Sequence, residues 1–226
     1  MYTKEQVASV TDHAVLKPEF CVAILQAHAG MCIRNRVFSM CVQPCNIAKA
    51  KELLKYSDVK VSCVLSFPHG ADSTEVKVFQ AADSIKNGVD EIDMVMNIGR
   101  FMERDYDYVV NDIRSVADTA HKNGILLKVI IESGFLTLEQ VADACELVIR
   151  AGADFVKTST GFGPGKATRE VVEVMVRTVA KRIKIKASGG IRTWEDAVAF
   201  LDMGVDRLGI GSTEEVLNGF STLNGN

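Results

Sequence analysis

The chain has 226 residues, 47% hydrophobic and 24% charged, with 26 Lys+Arg against 29 Asp+Glu for a formal net charge of -3. That apolar share excludes a disordered chain, and the length excludes a mini-protein. The charge balance supplies no basic field for nucleic acid or an anionic membrane, and no apolar run reaches the ~18 uncharged residues of a membrane span.

The first ten residues carry Lys4, Glu5 and Gln6 where a secretory signal would place its apolar stretch, so a soluble cytoplasmic protein is expected. From there, short β-branched runs alternate with longer amphipathic stretches. The runs predict strands over 12–15, 37–42, 60–66, 91–95, 126–132, 154–157, 183–186 and 206–209. Helices are predicted between them over 46–56, 74–87, 106–123, 138–151, 169–181 and 194–203. Gly88, Gly124, Gly152 and Gly204 each stand just before a strand, where a glycine ends the preceding helix. Strand–helix–strand order demands parallel pairing, because each crossover needs a helix to return the chain. Eight such strands predict an α/β fold, a single-domain (β/α)8 TIM barrel over residues 1–226, with an open doubly wound sheet as the alternative. The six cysteines lie scattered through apolar segments with no C-x-x-C pair, which points to reduced thiols. His13, His28, His69 and His121 fall in no metal-ligand spacing.

Barrel chemistry gathers at the C-terminal ends of the strands. Two predicted strands end there in lysine: Asp154-Phe-Val-Lys157, running into Thr158-Ser-Thr-Gly161, and Ile183-Lys-Ile-Lys186, running into Ala187-Ser-Gly-Gly190. One strand–helix unit separates them, so neighbouring strands bring both to one interior. A single such lysine reads equally as a stem lining the barrel with its ammonium in water or on a carboxylate. Two side by side favour an amine nucleophile, since like charges in a desolvated site depress an ammonium pKa. At a pKa of ~10.4 only about 1 amine in 2,500 is free at pH 7, whereas at ~7 about half are. Carbonyl chemistry through a Schiff base is therefore expected. Glu91 and Asp93 share a strand face, and Asp93 either shuttles protons with Lys186 or neutralises a barrel lysine. Lys128 and Glu132 share a face of the fifth strand and are expected to form a structural ion pair.

The loops after strands seven and eight, Ser188-Gly189-Gly190-Ile-Arg192-Thr193 and Leu208-Gly209-Ile-Gly211-Ser212-Thr213, are glycine-rich in the register in which barrels hold phosphate. Ser212 or Thr213 can cap a helix there. Lys166 either adds a cation to that site or belongs to a flexible loop, and Cys41 either touches substrate or is a small buried hydrophobe. His69, in Phe67-Pro-His-Gly70, is expected at the surface or behind the site.

At these residues the sequence resembles the deoxyribose-phosphate aldolase family over nearly its whole length. The matching segments are Asp12-His-Ala-Val-Leu-Lys-Pro18, Cys41-Val-Gln-Pro44, Phe67-Pro-His-Gly70 and Val89-Asp-Glu-Ile-Asp-Met-Val95. They continue with Leu127-Lys-Val-Ile-Ile-Glu132, Ala151-Gly-Ala-Asp-Phe-Val-Lys-Thr-Ser-Thr-Gly161 and Lys186-Ala-Ser-Gly-Gly-Ile-Arg192. The resemblance implies a class I aldolase, without metal or other cofactor. It would interconvert 2-deoxy-D-ribose 5-phosphate with acetaldehyde and D-glyceraldehyde 3-phosphate in deoxyribonucleotide catabolism. It further implies Lys157 as the Schiff-base lysine, Lys186 as the neighbour that lowers its pKa, and Asp93 as the acid/base partner. Cys41 would line the pocket, while Gly189, Gly190, Gly209 and Ser212 would bind phosphate. The partners are then small phosphorylated sugars and aldehydes, with a dimer or tetramer of identical chains left open. Four departures stand out: Ala14 for Thr, Gln43 for Asn, Gly211 for Ser, and a tail over 219–226 without the terminal tyrosine of some members. The alternatives are a Schiff-base aldolase for another phosphorylated aldehyde, or a barrel that binds a phosphate ligand without turnover.

Overall fold

The computed structural model describes residues 2–224, with side chains through residue 220, so the last two residues of the tyrosine-free tail lie outside it. Eight parallel strands, β1 (Thr11–Val15), β2 (Ser39–Val42), β3 (Lys60–Leu65), β4 (Glu91–Val95), β5 (Leu126–Ile130), β6 (Phe155–Lys157), β7 (Lys184–Ser188) and β8 (Arg207–Ile210), pair in chain order into a closed barrel. The last strand returns to the first, with Asp12 opposite both Ser39 and Gly209. That closure rules out the open sheet and confirms the (β/α)8 architecture.

After α1 (Lys4–Ala8), the crossovers are α2 (Val22–Asn35), α3 (Ile47–Leu54), α4 (Thr74–Lys86), α5 (Ile98–Met102) with α6 (Tyr106–His121), α7 (Leu138–Ala151), α8 (Arg169–Val179) and α9 (Trp194–Asp202). The chain closes on α10 (Thr213–Asn224). Ser73, Asp105, Thr137, Thr168 and Thr193 each accept a backbone N–H at a helix start, satisfying donors the helix leaves unpaired. Gly88, Gly124, Gly152 and Gly204 all take positive φ at the helix ends, as expected.

Alternation along each strand sorts two interiors. Ile92, Met94, Leu127, Val129, Val156 and Leu208 face outward into the apolar layer under the helices. Each buried side chain of that size contributes about 1.5–3 kcal/mol. Inside the barrel, Glu91, Asp93, Lys128, Lys157, Lys186 and Arg207 are buried instead. Toward β1–β3 the mouth is apolar, where Leu16, Cys41 and Val64 pack with Ala14 and Phe67.

Beyond the helices expected, α1, α2, α5 and α10 also form, α2 entered at Cys21 without a side-chain cap. One expectation fails. The fifth strand ends at Ile130 rather than 132: Glu132 turns into the left-handed region at φ 47, and its carboxylate leaves the side on which Lys128 lies. The expected Lys128–Glu132 ion pair does not form. Lys128 pairs with Glu91 and Asp93, and Glu132 accepts from Thr160.

Candidate active site

A cavity of about 510 Å³ opens at the C-terminal end of the barrel. Lys157 and Lys186 line it, together with Cys41, Gly189, Gly190, Gly209 and Ser212, so nearly all the residues singled out in the sequence share one space. Asp93 is fully buried beneath them. Its Oδ2 accepts from Lys157 Nζ and from Lys186 Nζ, each at 2.8 Å, while its Oδ1 accepts from Lys128 Nζ at 2.7 Å. One carboxylate thus holds three amines, and Asp93 touches both strand-end lysines.

The floor continues below. Lys186 also donates to Asp12, and Lys128 lies 2.6 Å from Glu91 Oε2. Arg207 Nη1 reaches Asp12 Oδ1 at 2.8 Å and Glu91 Oε2 at 3.0 Å, with its guanidinium 3.5 Å from the Phe38 ring centroid. The network sets three carboxylates (Asp12, Glu91, Asp93) against four bases (Lys128, Lys157, Lys186, Arg207). It is electrically neutral when one base sheds its proton. In a dry barrel that arrangement is favoured, since an unbalanced buried charge is costly.

The base under most pressure to do so is Lys157. Burial pulls its pKa below the ordinary lysine value, Asp93 resists, and the Lys186 ammonium adds to the depression. Lys186 goes the other way: burial acts against its charge, but Asp12 and Asp93 outweigh that and hold its pKa above the usual range. Burial opposes the Asp93 charge too, and Lys128, Lys157 and Lys186 overcome it, keeping Asp93 well below the carboxylate range. The site therefore couples one amine able to be free with one ammonium and one carboxylate that stay charged. Desolvation, rather than the neighbouring ammonium alone, is the larger cause of the Lys157 shift, a distinction the sequence does not contain. Cys41 is buried, which pushes its thiol pKa up and leaves a neutral, compact wall.

On the far side, Gly189 and Gly190 take φ of 85° and 77° after β7, and Gly211 and Ser212 follow β8. Gly209 differs from its expected loop setting. It is paired within β8, and a Cβ there would stand 2.6 Å from Ser188 Cβ and 3.1 Å from Lys186 Cε, so its bareness makes room for the lysine. Gln43 Nε2 donates to the Leu16 carbonyl at 3.2 Å, bracing the loop after β1. His69 is exposed and lies outside this cavity. Lys128, expected to pair with Glu132, instead joins Asp12 and Arg207 in the network, and those two are not among the candidates the sequence offers. Asp12 stands two positions before Ala14 on the same face of β1, and that parity is the available signal.

A DeoC/LacD family aldolase profile matches residues 9–223. The chain is 46% identical over 216 residues to a deoxyribose-phosphate aldolase from Clostridium perfringens strain 13, covering 96% of each. It is 46% identical to one from Thermococcus gammatolerans, covering 94% of this chain and 96% of that one. The tetrameric deoxyribose phosphate aldolase of Aeropyrum pernix superposes with a TM-score of 0.92 at 27% identity, covering 98% of this chain and 93% of that one.

Proposed function

Because the chain belongs to the DeoC/LacD family of aldolases, we propose that it reversibly cleaves 2-deoxy-D-ribose 5-phosphate to acetaldehyde and D-glyceraldehyde 3-phosphate through a Schiff base on Lys157. The observation that carries the reading is the shared Asp93 carboxylate, 2.8 Å from both Lys157 and Lys186, beneath a cavity that also reaches the two glycine loops.

In the cleavage direction the free Lys157 amine adds to the sugar C1 carbonyl, and loss of water gives an iminium. A base removes the C3 hydroxyl proton, C3 becomes the aldehyde carbon, and the C2–C3 electron pair moves toward the iminium nitrogen. Glyceraldehyde phosphate leaves and an enamine remains. Protonation of the enamine at C2 restores the iminium, and water releases acetaldehyde and the Lys157 amine. Lys186, held as an ammonium, is the proton donor for the departing hydroxyl, and Asp93, held as a carboxylate, steadies each cationic nitrogen. The apolar corner of Ala14, Cys41 and Val64 suits the two-carbon fragment. The backbone around Gly189, Gly190, Gly211 and Ser212 suits the phosphate, because exposed N–H groups without Cβ obstruction bind anions.

Among the described residues no helix is long and apolar enough to cross a membrane. A cytoplasmic setting agrees with the unpaired cysteines, and a dimer or tetramer agrees with the exposed Phe79 and Val76 on α4.

Acetaldehyde followed by borohydride should fix a two-carbon adduct on Lys157, read by peptide mass mapping. A label on Lys186 or Lys128 would reverse the assignment. Since the iminium is the electron sink, EDTA treatment should leave turnover intact; activity lost to EDTA and restored by Zn²⁺ would indicate a metal-dependent aldolase.

A further inference from the structure

The mechanism above leaves a chain of three hydrogen-bonding side chains unused. His13, on the outer face of β1 and 1% exposed, places Nδ1 2.8 Å from Thr213 Oγ1 and Nε2 2.8 Å from His28 Nδ1. Thr213 opens α10 directly after Ser212, and its hydroxyl donates to the Ile210 carbonyl at 3.3 Å. With that proton committed, Oγ1 accepts from His13 Nδ1–H. His13 Nε2 is then bare and accepts from His28 Nδ1–H. The tautomers of both rings follow from one threonine proton. His28 is left with Nε2 as its remaining nitrogen, and His28 lines the same cavity as Arg192, Gly211, Ser212 and Lys17. Phe20 stacks on the ring at 5.5 Å between centroids, fixing its plane.

We propose that His28 is a specificity-determining residue for the phosphorylated substrate, meeting the phosphate with a protonated Nε2 edge that His13 and Thr213 hold in register. The proposal rests on the phosphate seat assigned in the preceding subsection. Burial keeps the His13 pKa down at about 3, so His13 stays a neutral acceptor while His28 takes its second proton, and no hydrogen bond has to reverse. The charged groups around His28 are consistent with this. Burial lowers the His28 pKa below its ordinary value and Glu215 of α10 offsets only part of that, so the second proton arrives with the phosphate rather than before it; Glu214 is engaged by Arg34 of α2 at 3.3 Å. Lys17 lies over the Phe20 ring at 5.7 Å, and Arg192 lines the opposite loop. A phosphate dianion arriving here draws a proton onto His28, so binding takes up a proton and weakens as pH rises.

The test is the ratio of kcat/KM for 2-deoxyribose 5-phosphate to that for 2-deoxyribose, measured from pH 6 to 8.5. His28→Asn keeps an amide N–H where Nδ1 stands and removes the Nε2 edge; His28→Gln places a neutral amide near the Nε2 position. The ionisation of the substrate phosphate is common to all three enzymes and cancels between them. At pH 6 the wild-type ratio should exceed that of His28→Asn by about tenfold, and the gap should close by pH 8.5. His28→Gln should show no such pH-dependent gap from His28→Asn. A wild type indifferent to the phosphate overturns both the phosphate seat and this proposal. A wild type that prefers the phosphate, with both variants matching it at every pH, overturns the assignment of His28 alone.

Discussion

Lys157 and Lys186 are chemically identical side chains on neighbouring strands, and their surroundings drive them apart. Burial leads the depression of Lys157, and two carboxylates outweigh burial at Lys186. Lys186→Leu should therefore raise the Lys157 pKa only part of the way back, since Lys157 itself stays buried. Activity at pH 7 should fall by about 10²-fold and recover in part as pH rises toward 10, because added base then frees the amine. Lys186→Arg should keep the Lys157 pKa low while moving protons poorly. A pH–rate profile for the three enzymes decides it; an unshifted Leu profile would make Lys186 a lining residue. The lysines and Asp93 were legible because they end strands, where period-two alternation fixes the face. Arg207 was not: at the start of β8 it reads as a solvent charge, and only closure of the barrel brings Asp12 and Glu91 to it. Glu132 was misread because one left-handed residue reverses the alternation. Its Oε2 accepts the Thr160 N–H and hydroxyl, while its buried Oε1 has no hydrogen-bond partner. Glu132→Ala should cost about 1–3 kcal/mol in a urea melt by stranding Thr160, and Glu132→Gln, which keeps a carbonyl oxygen there, should cost less.

Among the elements, the strands and most crossovers follow from periodicity and caps, but α2 did not. Its sequence is apolar on more than one side, contains Gly30, and begins at Cys21, which offers no side-chain cap, so the usual start signal is missing. Packing, not local propensity, makes it a helix: Leu25, Ala29 and Cys32 are buried in the layer around the barrel. The β8–α10 connection passes through Gly211 and Ser212 at the rim of the cavity. A Cβ on Gly211 would meet nothing within 4 Å, so the cavity has room for a side chain. Gly211→Ser should lower KM for 2-deoxyribose 5-phosphate by about threefold with kcat unchanged, through one added hydroxyl donor. A KM that stays put or rises would mean that this loop does not seat the phosphate.

At the scale of the whole molecule, the barrel joins an apolar outer layer to an ionic interior, and acid should attack the structure first through a histidine outside the ionic network. His13 is neutral and buried, with its pKa lowered to about 3 from 6.5. A depressed histidine stabilises the fold fully above its unfolded pKa and loses that contribution as pH falls toward the folded value. Thermal melts should therefore drop steadily from pH 6.5 to 4, by up to an amount on the order of 5 kcal/mol at the acid limit. Asp12 and Asp93, both held below the carboxylate range against the effect of burial, lose their contribution only below about pH 4. A melting curve flat from pH 7 to 5 would show that His13 is not neutral in the way its surroundings dictate. The circular strand order has a further consequence for how the protein is made. Arg207 and Asp12 stand 195 positions apart and hold one another across the ring. While the chain is emerging from the ribosome, Asp12 and Glu91 have no guanidinium, and without β8 the barrel stands open between β7 and β1. Water must remain among these side chains until the eighth strand arrives. The Lys157 amine is depressed chiefly because water is gone, so a nascent chain lacking that strand has an ordinary lysine there and no reactive amine.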